Sequence, residues 1–111
     1  MFGLFKSLAA KEITPAQANE RVQRGEIRLV DVREVNEWTQ AHVAGAMHVP
    51  LSALGERLAR LPTDKPIVFY CLSGARSANA VAMSRKQGLP HDTHMTGGIK
   101  EWIANGLPVE R

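Results

Sequence analysis

A single cysteine stands directly after an apolar run, and an arginine follows it beyond a short turn. The segment reads IVFYCLSGARSANAVAM, with Cys71 after the run 67–70 and Arg76 five positions later. A short run of β-branched and aromatic residues is typical of a buried parallel strand. The apolar spacing after the turn is typical of a helix. Cys71 is therefore expected where a strand passes through a tight loop into a helix.

A loop of this kind can bind anions and activate a thiol. Its backbone N–H groups point inward, and the helix N-terminus adds about half a positive charge. Arg76 adds a full positive charge. Because the same field stabilises a thiolate, we expect the pKa of Cys71 to lie below the ordinary value of about 8.5. The alternative is an inert core cysteine, which the spacing of Gly74, Arg76 and Ser77 disfavours.

Composition restricts the possible functions. The chain has 111 residues, enough for one domain with a substantial core, and its net charge of +3 is mild and not clustered, which argues against nucleic-acid binding. A single cysteine permits neither an internal disulfide nor a zinc site made of several thiolates. Anything that Cys71 takes up must therefore leave to an outside acceptor. A lone reactive thiol also fits a reducing, cytoplasmic compartment.

Apolar segments alternate between strand-like and helix-like patterns along the chain. Thr14, Pro15 and Gln17 form a helix start, and Ser52 is expected to cap a helix that Pro62 ends. Strands are predicted near 12–13 and over 27–32, 47–49, 67–70 and 93–95, and helices over 15–24, 35–41, 53–61, 77–88 and 99–105. This alternation predicts an α/β domain around a small parallel sheet.

Charged residues appear abruptly where the second predicted strand ends. Asp31 and Arg33 follow the apolar run of that strand. Ligands of open parallel sheets bind at the carboxyl ends of the strands, so the two side chains could lie beside the Cys71 loop. A structural ion pair that holds the following loop is an equally good interpretation.

The histidines and the large apolar residues have structural explanations. No carboxylate or thiolate stands at metal-ligand spacing from the histidines, so we expect capping or hydrogen-bonded roles and no metal site. Gly97 and Gly98 are expected to allow a close backbone approach or a positive φ. The leucine stripe at 51, 54, 58 and 61 and Trp102 are expected in the core. The four histidines are His42, His48, His91 and His94.

Residues 1–11 precede the predicted domain, which spans 12–111. Phe2, Phe5 and Leu8 recur at helical spacing, so this extension is interpreted as a short amphipathic helix docked on the domain. Weak contact with a membrane surface and a frayed terminus are the alternatives. The apolar stretch is too short to cross a bilayer, so no stable membrane insertion is expected.

Four motifs in order carry a resemblance to a known family. LVDVREVNEW, AHVAGAMHVP, CLSGARS and TGGIKEW together resemble the single-domain rhodanese (sulfurtransferase) family over about residues 12–108. The resemblance implies a doubly wound small parallel sheet with helices on both faces. It also implies transfer of sulfane sulfur from thiosulfate, a persulfide or a polysulfide, through a persulfide on Cys71, to cyanide, a small thiol or a protein thiol. No metal or organic cofactor is implied.

The resemblance also assigns roles within the loop. Its amides would solvate the outer sulfur, Arg76 would orient the loop or steer the donor, and Ser77 would tie down the helix start. The loop would activate the thiol without a dedicated base, and Asp31 resembles a structural brace of the site. The substrate-binding residues are thus Leu72, Ser73, Gly74, Ala75, Arg76 and Ser77.

Leu72 departs from the family pattern, because many members have a basic residue directly after the cysteine. The absence of a basic side chain at this position favours a donor less charged than thiosulfate.

Two other functions remain open. A phosphatase or arsenate reductase would use the same thiolate, although phosphatase loops have one more residue before the arginine and no second cysteine is present. A non-catalytic rhodanese-like binding module is the other. The sequence does not indicate an oligomeric state.

Overall fold

A five-stranded parallel sheet forms the centre of the computed structural model, which describes residues 9–111. The described strands are β1 (Lys11–Ile13), β2 (Arg28–Asp31), β3 (His42–Val43), β4 (Met47–His48), β5 (Ile67–Tyr70), β6 (Thr93–Met95) and β7 (Val109–Glu110). The strand order in the sheet is β1-β6-β5-β2-β4, and β3 pairs with β7 in a separate antiparallel ribbon.

Helices connect the strands and cover both faces of the sheet. They are α1 (Pro15–Gln23), α2 (Val35–Gln40), α3 (Leu51–Arg57), α4 (Ala75–Lys86) and α5 (Gly98–Ala104), and a 3₁₀ turn (Leu58–Arg60) continues α3. Within the described part of the chain, no helix is long and apolar enough to cross a membrane.

The central strand β5 divides the apolar interior into two cores. Ile67 and Phe69 point into a core with residues of α3 and α4, whereas Val68 and Tyr70 point into a core with residues of α1 and α5. The alternation follows from the two-residue period of a strand. All four side chains are buried, as expected for a strand with helices on both faces. The predicted doubly wound α/β fold is confirmed.

Helix α1 begins as its sequence predicts. The Gln17 amide donates to Thr14 Oγ1 at 3.2 Å, and the Thr14 amide donates to Gln17 Oε1 at 3.0 Å, which completes a capping box. Trp102 is buried in the second core and its Nε1 donates to the Pro108 carbonyl at 2.9 Å, so its predicted core position is also confirmed.

Two predicted helix starts are wrong. Pro50, not Ser52, occupies the N-cap of α3, because the chain enters the helix directly from the extended Pro50 backbone. The Ser52 hydroxyl instead donates to Glu34 Oε1 at 2.9 Å. Helix α4 begins at Ala75, two residues before Ser77, because the N-cap Gly74 makes the turn at a φ of +132°.

The ribbon of β3 and β7 was not predicted. Each strand has two residues, too few to show an alternating pattern. The predicted helix in 1–11 falls mainly in residues 1–8, which lie outside the described residues, so the boundary at residue 12 stays a prediction.

Candidate active site

Cys71 follows β5 at the carboxyl edge of the sheet and lies in a ring of backbone donors. The residue is buried, at 1% exposure. The amide of Gly74 donates to its Sγ at 3.1 Å and the amide of Ser77 at 3.4 Å. The Ser77 hydroxyl lies 3.6 Å from the same sulfur. Because the two amides converge on one atom, the loop is built to hold a negative charge on Sγ or directly beside it.

The surroundings of Cys71 favour its thiolate. Burial raises the pKa of Cys71, but hydrogen bonds from the Ser77 hydroxyl and from the amides of Ser77, Gly74 and Ser73 outweigh burial and hold the pKa below its ordinary value. The direction agrees with the sequence prediction. The dominant lowering causes are the loop amides and Ser77, rather than the charge of Arg76.

Arg76 bonds to a carboxylate of another element. Its Nη1 and Nη2 donate to the two carboxylate oxygens of Glu37 at 2.7 and 2.9 Å. This bond to Arg76 lowers the pKa of Glu37 to about 2 despite partial burial. The pair joins the first turn of α4 to α2. Sequence reasoning missed Glu37 as part of the site, although it lies in the motif LVDVREVNEW.

Helix α5 holds the carbonyl side of the loop. The amide of Ile99 donates to the Cys71 carbonyl at 2.9 Å, and the amide of Lys100 donates to the Leu72 carbonyl at 3.1 Å. Gly98 makes this approach possible, because a Cβ there would lie 2.2 Å from the Leu72 oxygen. Its φ is +58°. The close approach predicted for the glycine pair is confirmed at Gly98.

The remaining loop residues form the outer surface of the site. Ser73 and Ala75 are exposed, and Leu72 is 45% exposed. Leu72 lines a groove of about 310 Å³ together with Ile99 and Ile103 of α5. Arg33, Glu37 and Lys100 also line this groove, so the surface beside the loop combines apolar and charged side chains.

Asp31 and Arg33 form a buried ion pair. Both nitrogens Nε and Nη2 of Arg33 bond to the Asp31 carboxylate, the shortest distance being 2.8 Å, and Nη2 also donates to the Ala41 carbonyl at 2.7 Å. The exposed fractions are 0% for Asp31 and 5% for Arg33. These bonds tie the end of β2 to the end of α2 and support the interpretation as a structural brace.

The histidines beside α2 are structural, as predicted. His42 Nδ1 lies 3.0 Å from the Trp38 carbonyl, and His48 Nε2 lies 2.7 Å from the Arg33 carbonyl. Both rings stack on Trp38, with centroid distances of 3.6 and 4.7 Å. His91 packs edge-on against Phe69.

His94 is also hydrogen-bonded, but its partner belongs to the Cys71 loop. Its Nδ1 lies 2.8 Å from Ser77 Oγ. The sequence did not indicate this contact. It arises because β6 neighbours β5, with His94 in register with Phe69, two residues before Cys71.

Among residues 9–111, no three His, Cys, Asp or Glu side chains form a group that could hold a metal ion. The expectation that no cofactor is needed stays a prediction.

The comparison with known families decides where the chain belongs. The rhodanese-like domain family matches residues 14–105. The chain belongs to this family. The match includes the complete Cys71 loop, Arg33, Glu37 and His94.

Relatives differ in how much of their length this rhodanese-like domain spans. It is 41% identical over 99 residues to a probable adenylyltransferase/sulfurtransferase MoeZ of Mycobacterium tuberculosis, where the match covers 86% of this chain but 25% of that protein. It is 33% identical over 103 residues to a thiosulfate sulfurtransferase GlpE of Haemophilus influenzae, covering 93% of this chain and 97% of the relative. A crystal structure of a rhodanese-related protein from Thermoplasma volcanium superposes with a TM-score of 0.81 at 33% identity, covering 90% and 97% of the two chains.

Proposed function

We propose that this rhodanese-like domain is a cytoplasmic sulfurtransferase that carries sulfane sulfur as a persulfide on Cys71. The observation that carries the proposal is the convergence of two amides and one hydroxyl on the buried Sγ. Two relatives that this chain matches over nearly their whole length are named as sulfurtransferases, and this supports the same chemistry.

The proposed reaction has two transfers. In the first, the Cys71 thiolate attacks the terminal sulfur of the donor, a new S–S bond forms, and the donor's bond to that sulfur breaks with the electron pair leaving on sulfite or a thiolate. The outer sulfur of Cys71–S–S⁻ lies about 2 Å beyond Sγ. It remains beside the inward-pointing amides of the loop, which stabilise its negative charge. In the second transfer, an acceptor thiolate or cyanide attacks that outer sulfur and leaves Cys71 as a thiolate.

The surface of the loop favours a donor of low charge. Arg76 is held by Glu37, so its charge is largely compensated, and Leu72 contributes apolar surface where a cation could stand. A dianion such as thiosulfate gains less from this surface than it would from one with a cation in place of Leu72. We therefore propose a persulfide or polysulfide donor and a small thiol or protein thiol as acceptor.

The phosphatase alternative fits the loop less well. Four residues separate Cys71 from Arg76, and the amides of Gly74 and Ser77 bond to Sγ itself rather than enclosing a wider space. A phosphate group would need its oxygens on these amides while its phosphorus stayed in line with Sγ. Catalysis depends on such alignment, and a misplacement of about 1 Å can cost on the order of a hundredfold.

Mass spectrometry of the purified chain tests the proposal. After exposure to polysulfide, a glutathione persulfide or thiosulfate, the wild type should gain one sulfur atom on Cys71, and cyanide should remove it as thiocyanate. Cys71→Ser, with native circular dichroism, should gain none. Hydrolysis of p-nitrophenyl phosphate by the wild type without any sulfur loading would contradict the proposal and favour the phosphatase.

A further inference from the structure

A continuous path of polar side chains leads from Cys71 to the surface at β1. Ser77 Oγ lies 3.6 Å from Cys71 Sγ and 2.8 Å from His94 Nδ1. The other ring nitrogen, Nε2, lies 3.6 Å from Glu12 Oε2. Ser77 and His94 are buried, whereas the Glu12 side chain is 61% exposed. The reacting sulfur is thus connected with a solvent-exposed carboxylate.

The parallel sheet aligns the members of this path. In the register of β1 and β6, Glu12 is the direct partner of His94. On the other side of β6, His94 pairs with Phe69 of β5, the strand that ends just before Cys71. Since paired residues of neighbouring strands share a face of the sheet, the Glu12 contact follows from the register.

The environment of His94 sets its resting proton state. Burial lowers the pKa of His94, and Glu12 only partly opposes this effect. The ring is therefore neutral at neutral pH before the thiol ionises. The Glu12 carboxylate favours the hydrogen on Nε2, which leaves Nδ1 as an acceptor directed at the Ser77 hydroxyl.

We propose that His94 accepts the proton of the Cys71 thiol through the Ser77 hydroxyl, and that Glu12 stabilises the imidazolium that results. The inference rests on the proposed function and deepens it, because it assigns a proton acceptor to a site for which the sequence indicated none. His94 acts through Ser77, so it is a positioning residue rather than one that touches the substrate.

The proton transfer balances without any added reagent. The thiol proton of Cys71 passes to Ser77 Oγ while the hydroxyl proton of Ser77 passes to His94 Nδ1. The products are a thiolate, an intact serine and an imidazolium. Nδ1–H then donates to Ser77 Oγ, and the hydroxyl is free to donate to the thiolate sulfur. No electrons are transferred and no oxidant or reductant is required.

One competing hydrogen bond of the Ser77 hydroxyl must break when Cys71 is a thiolate and His94 an imidazolium. The Ser77 hydroxyl also donates to the Gly74 carbonyl at 3.1 Å. That carbonyl has a second donor, the Ala78 amide at 3.1 Å. It therefore remains satisfied when the Ser77 hydroxyl turns to the sulfur, and the exchange leaves no buried acceptor without a partner.

Two ion pairs lie on the elements around the path. On β1 and the residue before β6, Lys11 and Asp92 bond to each other at 3.2 Å. On α4, Arg76 bonds to Glu37. Among residues 9–111, the charged group that acts on the pKa of the His94 ring is Glu12 from β1, and Cys71 is connected to the ring through Ser77.

The pH dependence of iodoacetamide alkylation at Cys71 tests the inference without any sulfur donor. His94→Asn keeps a polar partner for Ser77 but cannot take up a proton. We expect it to raise the inflection of alkylation by about one pH unit, which is about a tenfold lower thiolate fraction at neutral pH. Glu12→Gln should raise it by less, because that carboxylate is exposed and screened.

His91→Asn is the matched control, since His91 is equally buried but packs against Phe69. It should leave the inflection unchanged. The reciprocal measurement is an NMR titration of the His94 ring, whose pKa should fall in Cys71→Ser because no thiolate remains to stabilise the imidazolium.

The outcomes separate this inference from the proposed function. A folded His94→Asn with the wild-type inflection overturns the proton path. Should His94→Asn fail to fold, the NMR titration in Cys71→Ser decides, and an unchanged His94 pKa there overturns it as well. A shifted inflection in a chain that transfers no sulfur would reject the sulfurtransferase and leave the proton path intact.

Discussion

Arg76 and Glu37 hold each other through two hydrogen bonds of 2.7 and 2.9 Å. The pair connects the turn that begins α4 with α2, a helix at the carboxyl edge of the sheet. Because α4 starts directly after the Cys71 loop, the arginine fixes the loop through its attachment to another element rather than by contact with the sulfur.

The first prediction concerns acid stability. The pKa of Glu37 is about 2 in the folded chain, below its ordinary value of 4.5. A depressed carboxyl pKa stabilises the fold above the unfolded pKa, and this contribution disappears as the pH falls toward the folded pKa. Glu37→Gln should therefore lower the free energy of unfolding by about 1–2 kcal/mol at neutral pH, allowing for partial exposure. The difference from wild type should vanish between about pH 4.5 and about pH 2.

Urea denaturation at a series of pH values measures this effect. Glu20→Gln serves as the control, because Glu20 pairs with Arg24 on an exposed face of α1. It should change the free energy of unfolding little at any pH. A constant difference between Glu37→Gln and wild type over the whole acid range would contradict the prediction.

The second prediction compares Ser77 with Arg76 as supports of the thiolate. The Ser77 hydroxyl is hydrogen-bonded to the Cys71 sulfur, whereas the charge of Arg76 acts on the sulfur only at a distance. Ser77→Ala should raise the alkylation pKa of Cys71 more than Arg76→Ala does. Alkylation rates against pH, with circular dichroism as a folding control, measure both shifts. The reverse order would show that the guanidinium charge dominates.

The third prediction concerns the close contact at Gly98. Gly98→Ala would place Cβ among the backbone atoms of Leu72 and Cys71, which cannot yield without moving the loop. We expect at least a tenfold slower sulfur loading in this variant. Gly106→Ala is the matched control, since it also has a positive φ, of +71°, but open space around it. It should lose about 1–2 kcal/mol of stability and keep its rate of loading. Equal rates in the two variants would contradict the prediction.

The fourth prediction separates structural from chemical roles at Asp31. Asp31→Asn leaves the buried guanidinium of Arg33 without a counter-charge, and such a loss costs about 3–5 kcal/mol. At urea concentrations below the unfolding midpoint of Asp31→Asn, the folded fraction of this variant should still load sulfur on Cys71. Asp64→Asn, which breaks an exposed pair with Arg28, should change the midpoint little. A stable Asp31→Asn that cannot be loaded would indicate a direct chemical role.

The sequence was sufficient for the five strands of the sheet and the Cys71 loop, but not for the order of the strands. Strong local signals mark the loop and two helix starts: an apolar run before Cys71, a capping box at Thr14, and a glycine pair at the start of α5. Each signal depends on neighbours in the chain, so it can be recognised without a structure.

Contacts between distant residues could not be predicted in the same way. Glu37 and Arg76 are 39 positions apart, and His94 and Ser77 are 17 apart. Their proximity depends on strand order and register, for which a single sequence carries no pattern. The prediction for Ser52 failed for a different reason. Its residue type favours an N-cap, but the chain enters α3 from the extended backbone of Pro50, which occupies the N-cap position.

In the proposed reaction, the burial of Cys71 would also determine which sulfur the acceptor attacks in the second transfer. A persulfide has two sulfurs that an incoming thiolate could attack. Attack on the inner sulfur would give a mixed disulfide and release hydrosulfide, whereas attack on the outer sulfur would transfer that sulfur to the acceptor. The inner sulfur is Sγ of Cys71, which is 1% exposed. A disulfide would require the Cα of the acceptor protein's cysteine to lie within about 4.4–6.8 Å of the Cα of Cys71. The closed loop keeps a macromolecular thiol from approaching this closely, so it would protect the proposed sulfur carrier from being trapped as a mixed disulfide.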